Sequence, residues 1–66
     1  MAASRWAVLV HDPARSVRRA TVDAMVDAAR EDLRPLLEEA LADADPWVRW
    51  KALRGLLELG PSASRA

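Results

Sequence analysis

The chain has no cysteine, no tyrosine and no phenylalanine, and a single histidine. Without cysteine, neither a disulfide nor a thiolate zinc site can staple the fold. His11 cannot hold zinc alone, and no carboxylates are spaced around it as a metal cage, so no metal and no cofactor is expected. Charge of one sign is not in excess: ten basic residues balance ten acidic ones. That balance argues against a generally basic nucleic-acid binder and against an acidic tail. Long apolar runs are missing too. Ala7-Val8-Leu9-Val10 is far short of a membrane span, and Arg5 alone ahead of it is too little for a secretory signal. A cytoplasmic location without membrane attachment is the expectation. Sixty-six residues allow one small domain, and a chain this size buries only about 60% of its unfolded surface.

Isoleucine is absent and glycine occurs only at Gly55 and Gly60, whereas alanine and leucine dominate. This mixture favours helix. Pro13, Pro35, Pro46 and Gly60-Pro61 divide the chain into four segments. The last is the clearest. Asp45 is a good N-cap, Pro46 suits the first helical position, and Gly60 with Pro61 stops the helix. Val48, Ala52, Leu56 and Leu59 recur on one face, which predicts a helix over 46–59.

The third segment, over 32–44, aligns Leu33, Leu36, Leu37, Ala40, Leu41 and Ala44, with Asp32 as its cap and Pro35 in its first turn. The second, over 14–30, places Val17, Thr21, Ala24, Met25 and Ala28 on one face. Val22, Val26 and Ala29 form a second stripe beside it, as in a helix packed on more than one side. The first, over 4–11, shows Trp6, Leu9 and Val10, with Ser4 as a cap. Short connections make these four helices two antiparallel αα-hairpins.

The hairpins repeat. A shift of 31 residues lays Trp6 on Leu37, Leu9 on Ala40, Val10 on Leu41 and Asp12 on Asp43. It also lays Val17 on Val48, Arg18 on Arg49, Thr21 on Ala52, Met25 on Leu56 and Ala28 on Leu59. Two helices per period is the signature of an α-solenoid.

The stretch from Leu33 through Asp43-Ala44-Asp45-Pro46-Trp47-Val48-Arg49 to Leu59-Gly60 resembles the HEAT repeat, and especially the short HEAT-like repeats of phycobilisome lyases. The family's pattern is an apolar first helix, an Asp-x-Asp-Pro-x-Val-Arg turn and an alanine- and leucine-rich second helix. The copy running through Asp12-Pro13 to Val17-Arg18 is similar, with its first helix clipped. The resemblance implies an all-α fold, two stacked antiparallel hairpins forming a minimal right-handed HEAT-type solenoid. Residues 1–30 and 31–60 would be its repeats and 61–66 a flexible tail. It also implies that Asp12, Arg18, Asp43, Asp45 and Arg49 are structural. A carboxylate at the turn can accept N–H groups opening the second helix, and the arginine fork can bridge carboxylates of neighbouring repeats.

No catalytic constellation is visible. The serines lack a nucleophile elbow, and His11 is the sole imidazole. Glu38, Glu39, Asp43 and Asp45 read as solvated charge rather than an acid–base pair. His11, ending the first helix, reads as a surface or capping residue. Arg15, Arg18, Arg19, Arg49, Lys51 and Arg54 lie on second helices, which line the concave face in HEAT solenoids and which some HEAT-like DNA glycosylases use to grip DNA. Net charge runs +3 over residues 1–22, −6 over 23–45 and +3 over 46–66. The acidic block would repel phosphate, and two repeats make a short groove, so nucleic acid is disfavoured.

Trp6 falls at a core position. Trp50, Leu53 and Leu57 instead follow a stripe separate from the core face of the last helix. In a longer solenoid that stripe would pack on the next repeat. The expected function is a non-enzymatic protein-interaction or scaffold module, with Trp47, Trp50, Lys51, Leu53, Arg54 and Leu57 as the contact surface. Its partner would be another protein or a second copy, in a homodimer stacking the final helices. The alternative is a fragment or accessory domain of a HEAT-like enzyme, glycosylase-like or tetrapyrrole-lyase-like; Met1 favours a free-standing subunit. Gly55, aligned with Ala24, predicts close approach of another helix there, expected to be the third.

Overall fold

The computed structural model describes residues 3–61, with side chains from Arg5 onward; the cap expected from Ser4 and residues 62–66 of the tail lie outside them. All regular structure among these residues is helical: α1 Ala3–Leu9, α2 Arg15–Ala28, α3 Arg34–Ala40 and α4 Pro46–Leu59, with a 3₁₀ turn Glu31–Leu33 leading into α3. Helix α1 packs on α2, α3 on α4, and α2 on α4. Val10, Val22, Met25, Leu33, Leu37, Ala40, Val48 and Ala52 form the buried core.

Local chemistry sets the ends of α4 where the sequence puts them. The Asp45 carboxylate accepts from the Trp47 N–H at 3.2 Å, with Pro46 in the first turn. Gly60 closes the helix at φ 74°, ψ −165°, backbone that glycine adopts without steric cost. Its N–H donates to the Leu56 and Leu57 carbonyls. Arg34 Nη2 then donates to the Gly60 carbonyl at 2.6 Å, which ties the start of α3 to the end of α4.

The third segment is shorter than its pattern. Asp32 caps nothing; its carboxylate accepts from Arg30 Nε and Nη2 within the 3₁₀ turn. At the other end the chain tightens after Ala40, with Leu41, Ala42 and Asp43 each donating three residues back. Such bonds use the last carbonyls of a helix and end it. Helix α2 also stops early: Ala29 adopts the left-handed conformation at φ 51° and donates to the Met25 carbonyl.

Several residues expected on core faces are exposed: Ala24 and Ala28 on α2, Leu41 and Ala44 beyond α3. For Leu41 the comparison with Val10 gives the reason. Val10 is covered by the second half of the chain, and its counterpart Leu41 is 38% exposed because no further pair of helices follows among the described residues. Trp6 is half-buried against the core, with the Arg30 guanidinium 5.6 Å over its ring.

The close approach at Gly55 is made by α2, not by α3 as expected. A Cβ there would stand 2.6 Å from Val26 Cγ2, and 3.5 Å from Leu37 Cδ1 of α3. Val26 belongs to the second stripe of α2, which faces α4.

Candidate interaction surface

The turns preceding α2 and α4 share most of their bonds, although Asp45 caps α4 through the Trp47 N–H and Ala14 gives α2 no side-chain cap. Asp12 Oδ1 accepts the Ala14 N–H at 2.8 Å, and Asp43 Oδ1 accepts the Asp45 N–H at 2.8 Å. The bond goes to the residue ahead of the helix rather than to its first turn, so each aspartate shapes the turn without capping the helix. Arg18 Nη1 donates to the Asp12 and Pro13 carbonyls. Arg49 Nη1 donates to those of Asp43 and Ala44. The preceding helices end on matching bonds too: Asp12 to the Leu9 carbonyl and Asp43 to that of Ala40, both at 3.1 Å.

The two arginines differ in what the rest of the fork reaches. Arg18 Nε and Nη2 hold the Asp43 carboxylate at 2.9 and 3.2 Å, in a pair only 17% and 8% exposed. Burial pushes the Asp43 carboxyl up, but the Arg18 hydrogen bonds, the Asp45 N–H and the Arg18 charge outweigh it and hold it below the usual range. Arg49, exposed, reaches no carboxylate among the described residues.

A second fork runs parallel to the first. Arg19 holds the Asp45 carboxylate through Nε at 2.6 Å and Nη2 at 3.1 Å, while its guanidinium lies 5.5 Å over the Trp47 ring. Asp45 is held below the usual carboxylate range by the Arg19 hydrogen bond, against the opposing effect of burial and with help from the Trp47 N–H. Nothing in the residue pattern singled out this pair, because the repeat puts Trp50, not an arginine, opposite Arg19. Lys51 reaches Asp23 at 3.3 Å, Arg54 reaches Glu58 at 3.8 Å, and His11 Nε2 meets Glu39 at 2.8 Å. The basic residues of α2 and α4 are thus largely committed to carboxylates.

The six residues expected at the contact surface separate into two groups. Trp47 is half-buried under Arg19, and Lys51 lies in the α2–α4 contact with Asp23; both also border Trp50, with the Trp47 ring centroid 6.4 Å away and Lys51 Nζ 6.0 Å over the ring. Trp50, Leu53 and Leu57 stay together on the outer face of α4, at 50%, 48% and 69% exposure. Arg54 flanks them, its guanidinium 5.6 Å over the Trp50 ring. His, Asp and Glu form no group that could hold a metal ion among the described residues. No helix there is long and apolar enough to cross a membrane.

Comparison with protein families matches residues 3–66 to HEAT repeats. The chain belongs to the HEAT-repeat family. No curated protein and no solved structure matches it. HEAT repeats generally serve as protein-interaction and scaffold modules, and in this HEAT chain the Arg18 fork ties the turn before α2 to Asp43 in the turn before α4.

Proposed function

We propose that this HEAT-repeat chain is a non-enzymatic protein-interaction module. It is a minimal solenoid of two stacked hairpins, residues 1–30 and 31–60, that binds through the outer face of α4. The observation carrying this reading is the row Trp50, Leu53 and Leu57, left exposed on a helix whose opposite face is in the core. Burying each such side chain is worth about 1.5–3 kcal/mol, which is large beside the few kcal/mol a core of this size supplies.

A photo-crosslinking residue at position 57, compared with one at Glu38, tests it in the native cell. Protein adducts should form from position 57, be sparse from 38, and disappear in a chain that also carries Trp50→Glu. Equal labelling from both positions would put the interface elsewhere. The same reading expects no duplex DNA binding at physiological salt; micromolar binding that weakens steeply with added salt would replace it with the glycosylase-like alternative.

A further inference from the structure

The internal contact between the two halves of the chain is displayed again at each of its ends, once from each side. Inside, α2 is the donating face: Val22 is fully buried, Val26 presses a methyl toward Gly55, and the Arg18 fork holds Asp43. Thirty-one residues on stand Leu53, Leu57 and Arg49, all exposed on the outer face of α4.

The receiving side repeats in the other direction. Leu37, Ala40, Val48 and Ala52 are buried beneath α2 and its neighbours. Their counterparts Trp6, Leu9, Val17 and Thr21 line a shallow apolar groove of about 350 Å³ along α1 and α2. Trp47, Lys51 and Gly55 meet Arg19, Asp23 and Val26 inside. Their counterparts Ser16, Ala20 and Ala24 complete the same groove. Asp12, the counterpart of Asp43, spends one carboxylate oxygen on the Ala14 N–H, and no arginine fork holds it among the described residues.

The inner Lys51–Asp23 pair has no counterpart outside, where Arg54 would stand opposite Ala20, but at two other points the differences between outer and inner faces compensate. Inside, a stiff β-branched Val26 approaches a glycine; outside, the longer and more adaptable Leu57 would meet Ala24. Inside, Arg19 lies against the bulky Trp47 and Asp45; outside, the bulky Trp50 would meet the small Ser16 and Ala14. Large faces small at both points, as a packed interface requires.

We propose that a second copy of this chain docks head-to-tail. Leu53 and Leu57 of one copy enter the groove between Trp6 and Ala24 of the next, and the Arg49 fork takes Asp12 of that copy. This rests on the α4 face being an interface, as argued above, and adds the occupant. A contact of this type joins two different surfaces, so it does not close in a dimer; it builds rings or open chains that lengthen with concentration.

Two blocked variants of the 66-residue chain test this in the analytical ultracentrifuge. Leu53→Glu with Leu57→Glu blocks the donating face. Ser16→Lys with Ala24→Lys blocks the groove and opposes the basic α4 of an incoming copy. All four positions are exposed, and circular dichroism verifies that the helices persist. The unsubstituted chain should assemble beyond a dimer, each variant alone should stay monomeric, and an equimolar mixture should form a one-to-one pair and stop. If the first variant loses its helices, Leu57→Asn alone should weaken assembly at least tenfold. A groove variant that still dimerises would show a two-fold pairing of α4 instead. A chain that stays monomeric up to about 1 mM overturns the head-to-tail contact. With adducts to a different protein from position 57, that outcome leaves the interaction reading standing; with no adducts, both fall.

Discussion

Arg18 and Asp43, 25 residues apart, form the bond that joins one turn of the chain to the other. The Arg18 guanidinium is anchored at one end on the carbonyls of its own turn, Asp12 and Pro13, and grips the carboxylate of the next turn with the other. Arg49 is anchored the same way and grips nothing among the described residues. One chain therefore contains the linkage with and without its carboxylate.

Substitution should expose that difference. Arg18→Ala leaves the nearly buried Asp43 carboxylate without its cation and should cost about 2 kcal/mol, within the range for charged hydrogen bonds. Arg49→Ala removes only exposed bonds to carbonyls and should cost about 0.5 kcal/mol. Urea midpoints of the two variants check this; equal losses would mean that the fork contributes nothing.

Stability should fall in acid through Asp43 and Asp45. Both carboxyls are held below their ordinary value in the folded chain, so the unfolded chain binds more protons over the interval between. Their contribution is complete above the unfolded value of about 3.9 and is lost as pH falls through the lower folded values. The denaturation midpoints of wild type and Arg18→Ala, apart at neutral pH, should converge as pH drops below that interval. Parallel curves would contradict the assignment.

Gly55→Ala should destabilise the chain. The added methyl gains about 0.5–1 kcal/mol of helix propensity. It must displace Val26 Cγ2 from 2.6 Å, and Val26 is stiff about χ1, so overpacking of about 1–3 kcal/mol outweighs the gain. In a Val26→Ala background the obstacle is gone and Gly55→Ala should become stabilising. A rise in melting temperature in the wild-type background would mean that the glycine is merely tolerated.

Ala29→Gly should stabilise it. Ala29 holds φ 51°, ψ 45° at the end of α2, where a Cβ costs roughly 1–2 kcal/mol. Glycine removes that cost and gives back part of it through the greater freedom of the unfolded chain. A net gain of about 0.5–1 kcal/mol amounts to several degrees in melting temperature for a chain of this size. Calorimetry checks the sign.

The sequence by itself determined the features whose causes are local or periodic. Asp45-Pro46 and Gly60-Pro61 delimit α4 because capping and φ restriction act within a few residues. The 31-residue shift predicted which aspartate and arginine would play matching parts, and Arg18 does reach between the two turns. The stripe of Trp50, Leu53 and Leu57 was legible because a face unlike the core face shows in helical spacing. Tertiary structure alone decided what each face meets. Periodicity gives a direction around a helix axis but neither a neighbour nor a distance, so it could not show that Val26, rather than α3, approaches Gly55. Nor could it place Trp47 and Lys51 inside the α2–α4 contact, or pair Arg19 with Asp45, since that pair departs from the repeat. The open groove along α1 and α2 was hidden for the same reason. Val17 and Ala24 are spaced as core residues, yet Val17 is only half-buried and Ala24 is exposed; exposure depends on whether another helix stands over them, which no local pattern encodes.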